Sequence, residues 1–281
     1  MCKTKQLTKG VSLYYKADYN IKLVEKIKDF FVEAKKDTDL KLIKENKKAK
    51  RKVYQLNWAG KTYYCKNYAS RRKDKIIKNF FRKGKAVKSF KISASLLQAG
   101  IEVVPAEFAL SYQPSALIYD SVFVSKELTA NNLLEFILKH QADKKIRRLL
   151  AKKLGKLWAK LNNNNFFHKD AALWNFLVKD KELMLVDVDD IYNYPILPKL
   201  WQIKNLARFN ASLLSHFSKE GIKLPSLKER ALFFKEFDKY YQGSLQLKEF
   251  IAKINKQTLK RLEKRGQLDL AKEDKFLEVK N

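Results

Sequence analysis

The apolar residues of this chain change their period near Leu128, and that change limits the folds open to it. Before it, Val53 to Trp58 and Thr62 to Tyr68 are β-prone runs rich in valine and aromatics, joined by Ala59-Gly60-Lys61, which predicts a hairpin. Glu107 to Tyr112 and Ala116 to Val124 are two further strands by the same criterion. Residues 75 to 99 space Ile76, Phe80, Val87, Phe90 and Leu96 as one or two helices ending at Gly100, and residues 20 to 35 predict an N-terminal amphipathic packing helix. After Leu128 the apolar residues Ile146, Leu150, Leu154, Leu157, Trp158 and Leu161 recur every three or four positions, the stripe of an amphipathic helix. Asn162 to Asn165 ends it, Phe166 to Asn175 reads as a loop, and Phe176–Val178 and Leu183–Val186 form a small hairpin. Helices resume at Pro198. The order predicts an α+β chain of two lobes: residues 1–128 with a small antiparallel sheet and a helix against it, and a mostly helical lobe over residues 129–281.

Composition narrows the class. The chain has 281 residues and 46% hydrophobic content, enough for two packed cores. No run of about 18 apolar residues occurs, so a spanning helix is not expected. The start, MCKTKQLTKG, has no apolar signal core, and Cys2 and Cys65 make no disulfide framework, so the expected setting is cytoplasmic. Sixty basic against 30 acidic residues leave a net charge of +30, which favours polyanionic partners without choosing among nucleic acid, acidic lipid headgroups and phosphorylated glycans.

The chemistry concentrates in His168-Lys169-Asp170-Ala171-Ala172-Leu173-Trp174-Asn175, followed twelve residues later by Asp187 in Leu185-Val186-Asp187-Val188-Asp189-Asp190. The spacing H-x-D-x-x-x-x-N and then an acid at a strand end is that of the protein-kinase catalytic loop and its metal-binding aspartate. Asp170 can accept a hydroxyl proton, Asn175 can offer an amide oxygen to Mg²⁺, and the hairpin can bring the Asp187 carboxylate to the same ion. His168 is expected to orient the loop. Lys66, in the second strand of the first hairpin, stands where a kinase places its phosphate-binding lysine, with Lys61 as the fallback.

Taken with Val53-Tyr54, Tyr64-Cys65-Lys66-Asn67-Tyr68, Phe81-Arg82-Lys83-Gly84-Lys85-Ala86, Leu97 to Pro105 and Asn205-Leu206-Ala207-Arg208-Phe209, the chain resembles the lipopolysaccharide kinase family, the WaaP- and InaA-like Kdo and heptose kinases, over roughly Lys41 to Lys264. The resemblance implies a protein-kinase-like fold, ATP and Mg²⁺ as cofactors, and Asp170 with His168 as the catalytic pair. It implies Lys66, Asn175 and Asp187 around the nucleotide, and a lipid A-linked inner-core saccharide as acceptor. The enzyme would then be peripheral on the cytoplasmic face of the inner membrane, against an anionic surface, with no specific nucleic-acid partner. Alternatives are a kinase acting on a soluble acceptor and a non-catalytic kinase-like binding protein. The chain departs from the kinase pattern in three places: Glu45 to Arg51 stands where a glycine-rich loop would be; residues 75 to 99 hold no acid to pair with Lys66, which leaves Glu107, Asp74 or no partner; and Val188-Asp189 follows Asp187 in place of Phe-Gly, which does not support a flip-type activation switch.

Overall fold

The computed structural model describes residues 2–16, 18–48, 50–69, 84–115, 118–272, 274 and 277. The chain divides into two compact units, one of residues 1–98 with 103–128 and one of residues 99–102 with 129–281.

The first unit is built on a seven-stranded antiparallel sheet. Its strands are β1 (Lys3–Thr8), β2 (Val11–Tyr15), β3 (Leu40–Asn46), β4 (Arg51–Trp58), β5 (Lys61–Tyr68), β6 (Ala106–Ser115) and β7 (Ile118–Lys126), in the spatial order β1-β2-β6-β7-β5-β4-β3. Successive residues of a strand face opposite sides, and this sheet buries both. Leu13, Leu56, Cys65, Phe108, Leu110, Val122 and Val124 point to a side covered by helix α1 (Ile21–Phe31), whose Leu23, Val24 and Ile27 are buried there. Each such side chain contributes about 1.5–3 kcal/mol when removed from water. Tyr14, Tyr68, Ala109 and Phe123 point the other way, against Ala86, Val87 and Phe90 of helix α2 (Lys85–Gln98). At the start of α2, Gly84 has φ +98° and approaches β7 so closely that a Cβ would collide with Ser121. The Ser121 hydroxyl accepts the Ala86 N–H at 3.1 Å. Burial pushes the Cys65 thiol up, so it stays protonated. The expected helical residues 75 to 83, with Asp74, lie outside the described residues, and β1, β2 and β3 have no counterpart in the sequence reading.

The second unit contains α3 (Leu133–Lys139), α4 (Lys144–Asn163), α5 (Lys199–Lys219), α6 (Leu227–Tyr240), α7 (Leu247–Glu263) and the short α8 (Asp269–Lys272). Between α4 and α5 run β9 (Phe166–His168), β10 (Phe176–Lys179), β11 (Glu182–Leu185) and β12 (Ile191–Asn193), while β8 (Asn131–Asn132) extends the β10–β11 hairpin. Asp143 caps α4 by accepting the Lys145 and Ile146 N–H groups at 2.8 and 3.0 Å. The apolar stripe of α4 buries Leu150, Leu154, Leu157, Trp158 and Leu161. Two buried arginines of this unit are matched by carboxylates: Arg147 meets Glu229 through Nε at 2.8 Å and Nη2 at 3.1 Å, and Arg230 is ion-paired with Asp274.

Helix α4 touches α6 at Gly155, where a Cβ would run into the Phe233 carbonyl oxygen and the Phe237 backbone nitrogen. Alanine gains about 1 kcal/mol over glycine in helix propensity, but rigid backbone cannot yield as a flexible side chain would. Gly155→Ala is therefore expected to destabilise the protein by about 1–3 kcal/mol. Equilibrium urea denaturation against the parent protein measures this, and a gain in stability would show that α4 and α6 separate freely.

Candidate active site

The end of α4 aims the chain into the loop that carries the predicted chemistry. Asn165 adopts φ +58°, a left-handed conformation that asparagine tolerates better than most residues. Its side chain fixes the turn, Nδ2 donating to the Pro195 carbonyl at 3.1 Å and Oδ1 accepting the Leu197 N–H at 2.9 Å. The following strand, β9, pairs antiparallel with β12, placing His168 opposite Ile191. The Lys169 N–H then donates to the Asp190 carbonyl at 2.8 Å. The loop thus starts hydrogen-bonded to the segment that follows Asp187. At its other end a 3-10 turn over Leu173–Asn175 closes, and the Val186 N–H donates to the Asn175 carbonyl at 3.1 Å. Asp180 and Lys181, both at positive φ, make the two-residue turn that sets the β10–β11 register, Phe176 opposite Leu185. Asp187 comes off the end of that hairpin.

Asp170, Asn175 and Asp187 are therefore brought together by the backbone of one unit. The Asn175 Nδ2 donates to the Asp170 carbonyl at 2.6 Å and to its Oδ2 at 3.3 Å, which orients the exposed carboxylate. With the nitrogen so engaged, the amide oxygen of this buried residue faces away. Asp187 is half-buried, caps the short turn Val188–Asp190, and accepts the Asp189 N–H at 3.3 Å. An amide oxygen and a carboxylate on adjoining strand ends form an all-oxygen donor set, the kind Mg²⁺ takes with one or two protein ligands and the rest from phosphate and water.

His168 is fully buried, its ring 5.8 Å from that of Phe176, with neither ring nitrogen hydrogen-bonded. Burial, aided by the Arg208 charge, pushes its pKa down to about 3. The enclosed imidazole is out of contact with solvent and packs beside Phe176. The His168 backbone is held by a residue whose role the sequence reading missed. The fully buried Asn205 of α5, with its amide turned to suit both neighbours, donates to the His168 carbonyl at 2.7 Å and accepts the His168 N–H at 3.0 Å.

Lys66 lies half-buried in β5, opposite Val53 of β4 and Phe123 of β7. Strand alternation gives it the face of Tyr68 and Phe123, which α2 covers. Lys61 begins the same strand, exposed, opposite Trp58. One partner suggested for Lys66 is corrected: Glu107 sits in a β6 bulge and forms no ion pair among the described residues, and its charge, after burial, helps raise the pKa of Tyr63, which faces the side of the sheet opposite Lys66.

The depressed pKa of His168 carries a pH dependence. An unfolded histidine binds its proton near pH 6.5, whereas the folded one does so only near its depressed value, so acidification between these limits favours the unfolded chain. His168 is expected to contribute a loss of about 1.4 kcal/mol per pH unit below pH 6. Urea unfolding at pH 7, 6 and 5 should show this slope in the parent protein and a shallower one in His168→Leu; identical slopes would refute it.

Comparison with known proteins addresses the family and the fold. The model of the lipopolysaccharide kinase (Kdo/WaaP) family matches residues 32–241. Among solved structures, WaaP in complex with acyl carrier protein superposes with a TM-score of 0.65 at 20% identity, covering 92% of this chain and 98% of that one. A spectinomycin phosphotransferase in complex with ADP and spectinomycin superposes with a TM-score of 0.50 at 12% identity, covering 94% and 92%. No curated protein matches in sequence. The fold is protein-kinase-like, a sheet-based N-terminal region and a helical C-terminal region. With a family match over most of its length and the loop and strand-end acid held as described, the chain belongs to the lipopolysaccharide kinase (Kdo/WaaP) family.

Proposed function

We propose that the protein transfers the γ-phosphoryl group of ATP to a sugar hydroxyl, of Kdo or heptose, in the lipid A-linked inner core of lipopolysaccharide. The observation that carries this reading is Asn175, whose side-chain amide donates to Asp170 and whose backbone carbonyl accepts the Val186 N–H at the strand end that leads to Asp187. Asp170, exposed and oriented by that amide, accepts the acceptor hydroxyl's proton and aligns its oxygen for attack on phosphorus. Asn175 Oδ1 and the Asp187 carboxylate would hold Mg²⁺, with Lys66 on the α/β-phosphates. The ion, when bound, neutralises charge on the phosphate oxygens. Asn205 fixes the loop backbone, so Asp170 needs little reorganisation when substrate arrives.

Two properties support an acceptor at an anionic membrane surface. The net charge is +30, and no helix among the described residues is long and apolar enough to cross a membrane. A peripheral site on the cytoplasmic face of the inner membrane accounts for both, each lysine near an anionic surface contributing about 1 kcal/mol.

Labelled ATP offered with purified inner-core glycolipid, and separately with casein, tests the substrate class. Label is expected in the glycolipid, and Asp170→Asn is expected to lower turnover by about 10²–10⁴-fold with MgATP binding retained. Label in casein alone would move the protein to a soluble acceptor, and unchanged turnover in the variant would remove Asp170 from the mechanism. The protein should also bind anionic vesicles in 0.1 M salt and leave them in 1 M salt, where the electrostatic reach falls from about 10 Å to about 3 Å. Retention at 1 M salt would indicate apolar insertion.

A further inference from the structure

Three arginines of the helical unit, Arg208 and Arg261 half-buried and Arg265 exposed, have no ion-paired carboxylate among the described residues, unlike Arg147 and Arg230 of the same unit. Arg147 and Arg230 each meet a carboxylate. Arg208 of α5, Arg261 of α7 and Arg265, just beyond the end of α7, form no ion pair among the described residues, although their charges are close enough to act on one another. Arg208 lies over the Phe167 ring, 5.4 Å from its centroid, with Nη1 enclosed and unpartnered. Nε of Arg261 is likewise enclosed and unpartnered. The acid that acts on Arg208 is Asp170 itself, beyond ion-pairing distance.

The arrangement is fixed by hydrogen bonds between the helices. Asn210 Nδ2 donates to Thr258 Oγ1 at 3.3 Å, and Ser215 Oγ donates to Gln267 Oε1, just past the end of α7, at 2.8 Å, so cross-links bracket Arg261 and Arg265 in sequence and follow Arg208 on α5. Helix α5 is joined to the loop through Asn205 on His168 and through the His216 ring, 4.6 Å from that of Trp174. Three guanidiniums held together with no ion-paired carboxylate repel one another. That repulsion is relieved when an oxyanion enters, and guanidinium groups match carboxylate and phosphate geometry.

We propose that Arg208, Arg261 and Arg265 form a binding site for an oxyanion on the acceptor, a carboxylate of an acidic sugar or a phosphate already on the saccharide, and so present the neighbouring hydroxyl to Asp170. The assignment to the acceptor rests on the kinase reading above; binding of an oxyanion does not.

Calorimetric titration of the full chain with glucuronate, glucose 6-phosphate and glucose, in the presence of MgADP, tests the site directly. The two anionic sugars are expected to bind and glucose to bind at least about tenfold more weakly, with the stronger anion identifying carboxylate or phosphate as the preferred group. Arg261→Gln and the exposed Arg265→Gln should each weaken the anionic sugars by about tenfold or more. Lys256→Gln, the same change of charge elsewhere on α7, should not. Equal affinity for glucose and the anions, equal weakening by Lys256→Gln, or unchanged binding in both arginine variants would overturn the site. Weakened MgADP binding with unaltered sugar binding would assign the arginines to the nucleotide and overturn the proposal. In the glycolipid assay the same variants should raise KM for the acceptor and leave that for ATP unchanged. Absence of transfer to glycolipid by the parent protein, with arginine-dependent sugar binding intact, would refute the proposed acceptor and retain the site. Transfer with parent KM values in both variants would retain the acceptor and refute the site.

Discussion

The candidate active site depends on one buried amide. Asn205 satisfies both backbone groups of His168 from the middle of α5, and everything from Phe166 to Asn175 is positioned relative to that contact. An apolar side chain there would leave a buried N–H and a buried carbonyl unpaired, each costing about 1–3 kcal/mol. The far end of the loop is fixed differently, by Val186 on the Asn175 carbonyl and by the register of β10 against β11. A segment with helix contact at one end and strand pairing at the other has little freedom left for Asp170, whose carboxylate nonetheless remains exposed.

What could be read from the sequence was local. The spacing of Asp170, Asn175 and Asp187 is visible because a single turn and hairpin connect them, and the stripe of α4 is visible because Leu150 to Leu161 keep one helical face. β1 and β2 were not visible for opposite reasons. Lys3–Thr8 is largely exposed and has no buried alternation, while Val11, Leu13 and Tyr14 are buried on both faces of the sheet. β3 buries only Leu40. Asn205 falls within a family-like segment, but its grip on His168 joins residues 37 apart in sequence. The arginines at 208, 261 and 265 are more widely separated still, and among 60 basic residues no three stand out.

With half as many acids as bases, the placement of the acids is informative. Glu229 is buried against Arg147 and also closes the capping box of α6, accepting the Ser226 N–H at 2.7 Å. Asp274 meets Arg230 within the helical unit, Glu135 closes the capping box of α3, and Asp143 caps α4. These four carboxylates thus sit where a largely buried cation or a helix N-terminus needs one. The three arginines near the loop stand outside that pattern, which is why their grouping reads as a feature of the site and not of the core.

The 3-10 turn between Asp170 and Asn175 also carries Trp174, 47% exposed and set edge-on to His216. Of the other three tryptophans, Trp158 is fully buried in the helical core, Trp58 belongs to the sheet unit, and Trp201, 38% exposed near the start of α5, packs against Tyr194 and Phe167. An indole within the loop, in contact with an imidazole and partly open to water, makes the emission of this protein sensitive to the loop's surroundings. The chain therefore contains an intrinsic optical reporter four residues from Asp170, through which occupancy of the site can be followed without an attached dye.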